Sequence, residues 1–145
     1  MWAEDTFAPL LTLEGHAGGV LALTLVGRTV WSASTDKTIR VWDAQGARCL
    51  EVLTGHSGWV TCLTHKDDLV FSGSLDKSVA VWSANNYRCL QILRRHNSAI
   101  WSIFACKGIP LVWSGAGDSS VCVWEIPETT TALPTPEVGP AAVGE

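Results

Sequence analysis

His56, Ser72 and Asp76 stand within the stretch LTGHSGWVTCLTHKDDLVFSGSLDKSVAVW, residues 53–82. These are the residue types of a serine hydrolase, in which a carboxylate orients a histidine and the histidine takes the proton of a nucleophilic hydroxyl. A histidine and a carboxylate are also the ordinary ligands of a metal ion. Whether the trio is chemistry or architecture turns on how often it occurs.

It occurs three times. His16, His56 and His96 are 40 residues apart, Asp36, Asp76 and Asp118 follow at 40 and 42, and so do Trp42, Trp82 and Trp124. A hydrolase has no use for three copies at a fixed interval, and the chain lacks a Gly-x-Ser-x-Gly nucleophile elbow. Each repeated histidine is alone in its copy, without the short-spaced partner of a zinc site. We therefore expect no catalytic residue, no metal and no cofactor. His65, outside the pattern, is expected to sit solvated in a polar turn.

The elements that position these residues are short. Val20–Leu25, Thr29–Ser34, Ile39–Trp42 and Cys49–Leu53 are β-branched or apolar runs, separated by turn residues such as Gly27-Arg28, Lys66-Asp67-Asp68 and Asn85-Asn86. The third copy carries two extra residues around Lys107–Pro110, which marks that gap as a turn. Four short antiparallel strands per roughly 40 residues is the signature of a propeller blade.

The copies resemble WD repeats of the G-protein β-subunit type over residues 10–126, about 10–48, 49–88 and 89–126. The Gly-His pairs (Gly15-His16, Gly55-His56), the Ser-x-Ser-x-Asp turns and the closing Val-Trp carry the likeness. Only the first copy ends in Trp-Asp (Trp42-Asp43), and the third has Arg95-His96 for Gly-His. The resemblance implies an all-β chain of three four-stranded antiparallel blades, forming a partial, open β-propeller or part of a larger or oligomeric one. It also implies a hydrogen-bonded structural tetrad in each blade: His16, Ser32, Asp36 and Trp42; His56, Ser72, Asp76 and Trp82; His96, Ser114, Asp118 and Trp124. The earlier serine is preferred in each set because the later ones, Ser34 and Ser74, become Ala116.

Eight Trp against one Tyr need a structural reason. Three belong to the tetrads; Trp31 and Trp113, with Phe71 between them, share a strand position expected to pack between blades. Cys49 and Cys89 read as small buried residues of the outer strand. No CxxC pair occurs among five cysteines, which fits reduced thiols. The net charge is −4, yet residues 10–126 hold ten Lys/Arg against nine Asp/Glu, with no basic stripe for nucleic acid. Without a signal-peptide pattern or a membrane-length apolar run, the chain reads as soluble and cytoplasmic, a nuclear location also being compatible.

By this pattern Leu10–Leu13 is an outer strand and Val121–Glu125 an inner one, so the order is d-a-b-c three times. Three arrangements suit such ends: a piece of a larger WD-repeat protein, self-pairing into a six-bladed ring, or completion of a partner's propeller. Residues 1–9 read as a flexible lead and 127–145, with four prolines and no basic residue, as a disordered tail. The resemblance implies a non-enzymatic scaffold for protein or peptide partners. A substrate-recognition part of a ubiquitin-ligase or kinase-associated WD protein is the alternative, and a serine hydrolase the competing class. The resemblance also implies docking on the face formed by the loops before each first strand and after each second strand, which places partner binding at Thr35, Ser57, Trp59, Leu75 and Asn97; Trp59 and Leu75 stand out there as large apolar groups where the other copies are small or polar.

Overall fold

The structure, a computed structural model, describes residues 9–128. Eleven strands form three antiparallel sheets. The first contains β1 (Val20–Val26), β2 (Thr29–Ser34), β3 (Ile39–Asp43) and β4 (Cys49–Leu53), in that spatial order. The second repeats it with β5 (Val60–Lys66), β6 (Leu69–Ser74), β7 (Ser78–Ser83) and β8 (Cys89–Arg94). The third has three strands, β9 (Ile100–Ala105), β10 (Leu111–Ala116) and β11 (Val121–Glu125). The fold is all-β, its blades forming an open part of a propeller.

The strand boundaries follow from turn chemistry. Gly27 and Asp67 turn their hairpins at φ 57° and 51°, a left-handed conformation that glycine takes freely and aspartate tolerates. The two extra residues of the third copy lie between β9 and β10, as the repeat alignment requires. Each first strand is bulged, the pairing skipping Leu21, Thr61 or Trp101. A bulge re-aims the extra side chain and sharpens the local twist.

Blades stack face to face, so each core lies between two sheets. One cluster joins Trp31, Ile39 and Val41 of the first blade to Val60, Val70 and Trp82 of the second. The other joins Phe71, Val79 and Val81 of the second to Ile100, Ile103 and Val112 of the third. Thr24 Oγ1 also meets His65 Nδ1 at 3.0 Å across the first junction, and the Lys66 ammonium donates to the carbonyls of Cys106 and Ile109 across the second.

Four expectations need correction. Trp31 and Phe71 pack between blades, whereas Trp113 is exposed, because no sheet lies against that face of the third blade. Cys49 and Cys89 face solvent, since nothing packs outside a fourth strand; Cys62 is the buried thiol. His65 belongs to β5 rather than to a turn, and its ring is held by Thr24. Leu10–Leu13 forms no strand: the free inner-strand edge it would need is β11, at the far end of the three-blade arc. The expected lead and tail lie almost wholly outside the described residues.

Burial ranks the side chains for mutation. Phe71→Ala, emptying the second core, should cost about 3–5 kcal/mol in urea unfolding. Val52→Ala, on the exposed outer strand, should stay within about 0.5 kcal/mol.

Candidate functional site

Each tetrad is assembled from four places in its blade. The histidine comes from the loop ahead of the first strand, the serine from the second strand, and the tryptophan from the third. The aspartate comes from the tight turn between the second and third strands. In the second blade Trp82 Nε1–H donates to Ser72 Oγ at 2.8 Å, and Ser72 Oγ lies 2.8 Å from His56 Nε2. His56 Nδ1 lies 2.7 Å from Asp76 Oδ2. An indole N–H can only donate, so the serine oxygen accepts it; the hydroxyl proton then points to Nε2, and Nδ1–H donates to the carboxylate. The first blade repeats this through Trp42, Ser32, His16 and Asp36, with spacings of 2.8, 2.7 and 2.7 Å. The third does so through Trp124, Ser114, His96 and Asp118, its last contact lengthened to 3.1 Å.

That longer contact coincides with the Arg95-His96 departure. Gly55 has φ 155° and lies so near Trp82 that a Cβ there would meet the indole at 3.3 Å. Gly15 has the same conformation, at φ 152°. Arg95 takes the glycine's place in the third blade, where the histidine–aspartate contact is the longest of the three.

The aspartates answer more donors than the tetrads require. Asp76 Oδ2 also accepts the Ser57 N–H at 3.0 Å, and Oδ1 accepts both the N–H and the hydroxyl of Ser78, at 3.0 and 2.6 Å. Ala17 and Thr38 serve Asp36 in the same way, and Asn97 and Ser120 serve Asp118. Burial pushes the Asp36 and Asp76 pKa values up, but bonds from Thr38 and Ser78, then His16 and His56, outweigh it and hold both carboxyls below the usual range. For Asp118 the Ser120 hydroxyl leads, followed by the Asn97 N–H, and its pKa is lowered too.

All twelve expected tetrad residues are thus brought together, with the earlier serine in each set. Ser34 and Ser74 play a separate part, accepting the N–H of Asp36 and Asp76 at 3.1 and 3.0 Å. A fifth member, Thr38, Ser78 or Ser120, escaped the sequence reading. Its signal was a hydroxyl residue two places after every repeated aspartate.

The expected partner-binding residues gather at one end of the blades. Backbone bonds of 2.9 Å run from Thr35 N–H to Gly19 O, from Leu75 N–H to Trp59 O, and from Gly117 N–H to Ala99 O. Each ties the loop before the first strand to the turn after the second. The loops press closely: a Cβ at Gly58 would sit 2.8 Å from the Asp76 nitrogen. Ser57 and Asn97 are exposed beside them, while Thr35 and Leu75 are half-buried. Trp59 is 47% exposed, so about half of the side chain is open to solvent. Trp101, missed as a site residue, is 57% exposed on the bulge, its Nε1 within 3.4 Å of where a Gly117 Cβ would stand. Its departure from the repeat pattern was the available signal. Among the described residues no three His, Cys, Asp or Glu side chains cluster as a metal site would require.

Two measurements probe the tetrads. Asp76→Ala strands His56 and two turn amides and should cost about 1–3 kcal/mol. Asp67→Gly, which suits its left-handed φ, should change stability by less than about 0.5 kcal/mol. All three carboxyls have folded-state pKa values below the ordinary 3.8. Their stabilisation is therefore full above about pH 5 and lost as pH falls toward the folded values. Thermal melts should show a steep acid limb, shallower in Asp76→Asn.

The comparisons with known proteins agree with this geometry. The family model for the WD domain, G-beta repeat, matches residues 7–43, 47–83 and 87–125. Zinc finger CCCH domain-containing protein 62 of Arabidopsis thaliana is 40% identical over 50 residues, which is 34% of this chain and 12% of that protein. Mitochondrial division protein 1 of Sclerotinia sclerotiorum is 49% identical over 45 residues, 31% of this chain and 7% of that one. The computationally designed Ika8 protein superposes with TM-score 0.73 at 38% identity, over 79% of this chain and 36% of Ika8. The structure of U3-55K superposes at 0.76 with 26% identity, over 79% and 38%. The chain thus spans just over a third of these structures and about a tenth of the curated relatives. With the family model matched over most of its length, the chain belongs to the WD domain, G-beta repeat family.

Proposed function

We propose that the chain is a non-catalytic interaction platform of the cytoplasm, which takes a protein or peptide partner on the loop end bearing Trp59, Leu75 and Trp101. The observation that carries this reading is the exposure of Trp59 beside Leu75 on loops that are themselves rigidly tied. A rigid aromatic anchor loses little entropy on binding and is typical of residues that dominate interface energetics. Thr35, Ser57 and Asn97 supply the polar rim.

Burial argues against the hydrolase. The Asp–His–Ser order reproduces the connectivity of a catalytic triad, but Ser72 has 0% exposure and Ser114 1%. Each hydroxyl oxygen already holds an indole N–H. A fluorophosphonate probe should therefore leave Ser72 unlabelled in the folded protein, and specific labelling lost in Ser72→Ala would overturn the non-catalytic reading.

The binding surface is tested by selecting peptides from a random display library on the full chain and titrating the winners. Trp59→Ala should weaken binding by at least about tenfold. Gln45→Ala, in a turn at the opposite end, should not weaken it. Equal affinity for Trp59→Ala, with an unchanged circular dichroism spectrum, would remove that indole from the site.

A further inference from the structure

The two outer faces of the three-blade arc are apolar and uncovered. On the third blade Phe104 is 61% exposed, Trp113 39%, Val121 65% and Val123 49%. On the first blade Val20 is 51% exposed, Leu23 65% and Leu25 58%. The internal junctions show what such faces are built to meet. Trp113, Val121 and Val123 stand where Trp31, Ile39 and Val41 stand in the first blade, and those three are at most 1% exposed against the second. Val20 and Leu23 stand where Val60 and Leu63 pack back onto the first blade.

We propose that these faces meet each other in a second copy of this chain, giving a closed head-to-tail dimer of six blades. The third blade of each copy packs on the first blade of the other, as the first packs on the second within one chain. Six blades lie within the range in which propellers close.

One pair of positions argues for self-association in particular. Within the chain, Thr24 of the first blade hydrogen-bonds His65 of the second. By repeat spacing, Phe104 takes the place of Thr24 on the outer face of the third blade, and Leu25 takes the place of His65 on the outer face of the first. At the second internal junction the same positions hold Thr64 and Ala105, so both members are large and apolar only where two copies would join, and both are exposed in the single chain.

The unpaired strand edge supports the same arrangement. Among the described residues β11 pairs only with β10, and beside it lies a groove of about 260 Å³ whose lining includes Leu90, Leu93, Trp124 and Ile126. Leu10–Leu13, without a sheet partner among the described residues, matches Leu50–Leu53 by repeat spacing. In the first blade Val41 pairs with Glu51 and Ile39 with Leu53. The same register seats Leu11 of one copy opposite Val123 of the other, and Leu13 opposite Val121. Each copy thereby supplies the missing fourth strand of the other's third blade.

Native mass spectrometry and light scattering of the full chain test this, with a charge exchange across the junction. The wild type should run at twice 15.6 kDa. Phe104→Lys alone and Leu25→Glu alone should each weaken dimerisation by at least about tenfold, because every junction then carries one buried, unpaired charge. Both positions are exposed in the single chain, so each variant should keep the wild-type circular dichroism spectrum. An equimolar mixture should recover dimers containing one chain of each kind, in which one junction is wild type and the other pairs the two charges. Overturning results are a wild-type monomer throughout the micromolar range, which leaves these faces to a different chain, or open polymers. A dimer that the single variants leave intact, or that mixing fails to restore, would equally place the junction elsewhere.

Discussion

A turn carboxylate that collects donors from a distant loop and from its own turn is the interaction on which each blade depends. Asp76 binds His56 and Ser57 on one side and its own turn at Ser78 on the other, across a separation of 20 residues in the first case. An unpaired buried donor costs more than a made hydrogen bond returns, so the blade has little freedom to place these loops elsewhere. From the histidine the network continues through the serine to the third-strand indole, which spans the sheet. One turn residue therefore sets the order of three strands and the position of the loop that precedes them.

The same tie makes the loop end a rigid surface. Where the loop ahead of the first strand is pinned by the aspartate and again by the bond between Trp59 and Leu75, a side chain on it is presented rather than mobile. The tetrad and the exposed indole are thus linked through the same loop. The family resemblance and the two solved structures extend this to the chain's general character as a scaffold fold, the identity of any partner resting on the loop residues alone.

Most of the fold was legible because the repeat let three copies vote on each position. The strand limits, the tetrads and the choice of Ser72 over Ser74 all follow from comparing equivalent residues. What escaped depended on neighbours that the comparison takes for granted. Trp113 is aligned with Trp31, but burial belongs to a pair of blades and not to a residue, and the third blade has one neighbour where the second has two. Cys89 alternates as a strand residue should, yet the outer strand has an uncovered flank. Leu10–Leu13 has the composition of a strand, and a strand needs an edge as well as a pattern. Trp101 departs from the repeat pattern, and the bulge shows where that extra residue of the first strand goes.

The tetrad also separates connectivity from chemistry. Carboxylate, imidazole and hydroxyl are joined here in the order that activates a nucleophile, at distances a hydrolase would share. Two differences support the non-catalytic reading proposed above. The oxygen that would attack is already an acceptor for an indole N–H, which draws its lone pair toward the blade interior. In the second and third blades it also lies under a sheet face that a neighbouring blade covers, which blocks the approach of a carbonyl. Proton order within a triad is set by which groups can only donate and which can only accept, and any fold that buries the same residue types will tend toward the same order. Chemistry also needs access, and Ser72 and Ser114 have none.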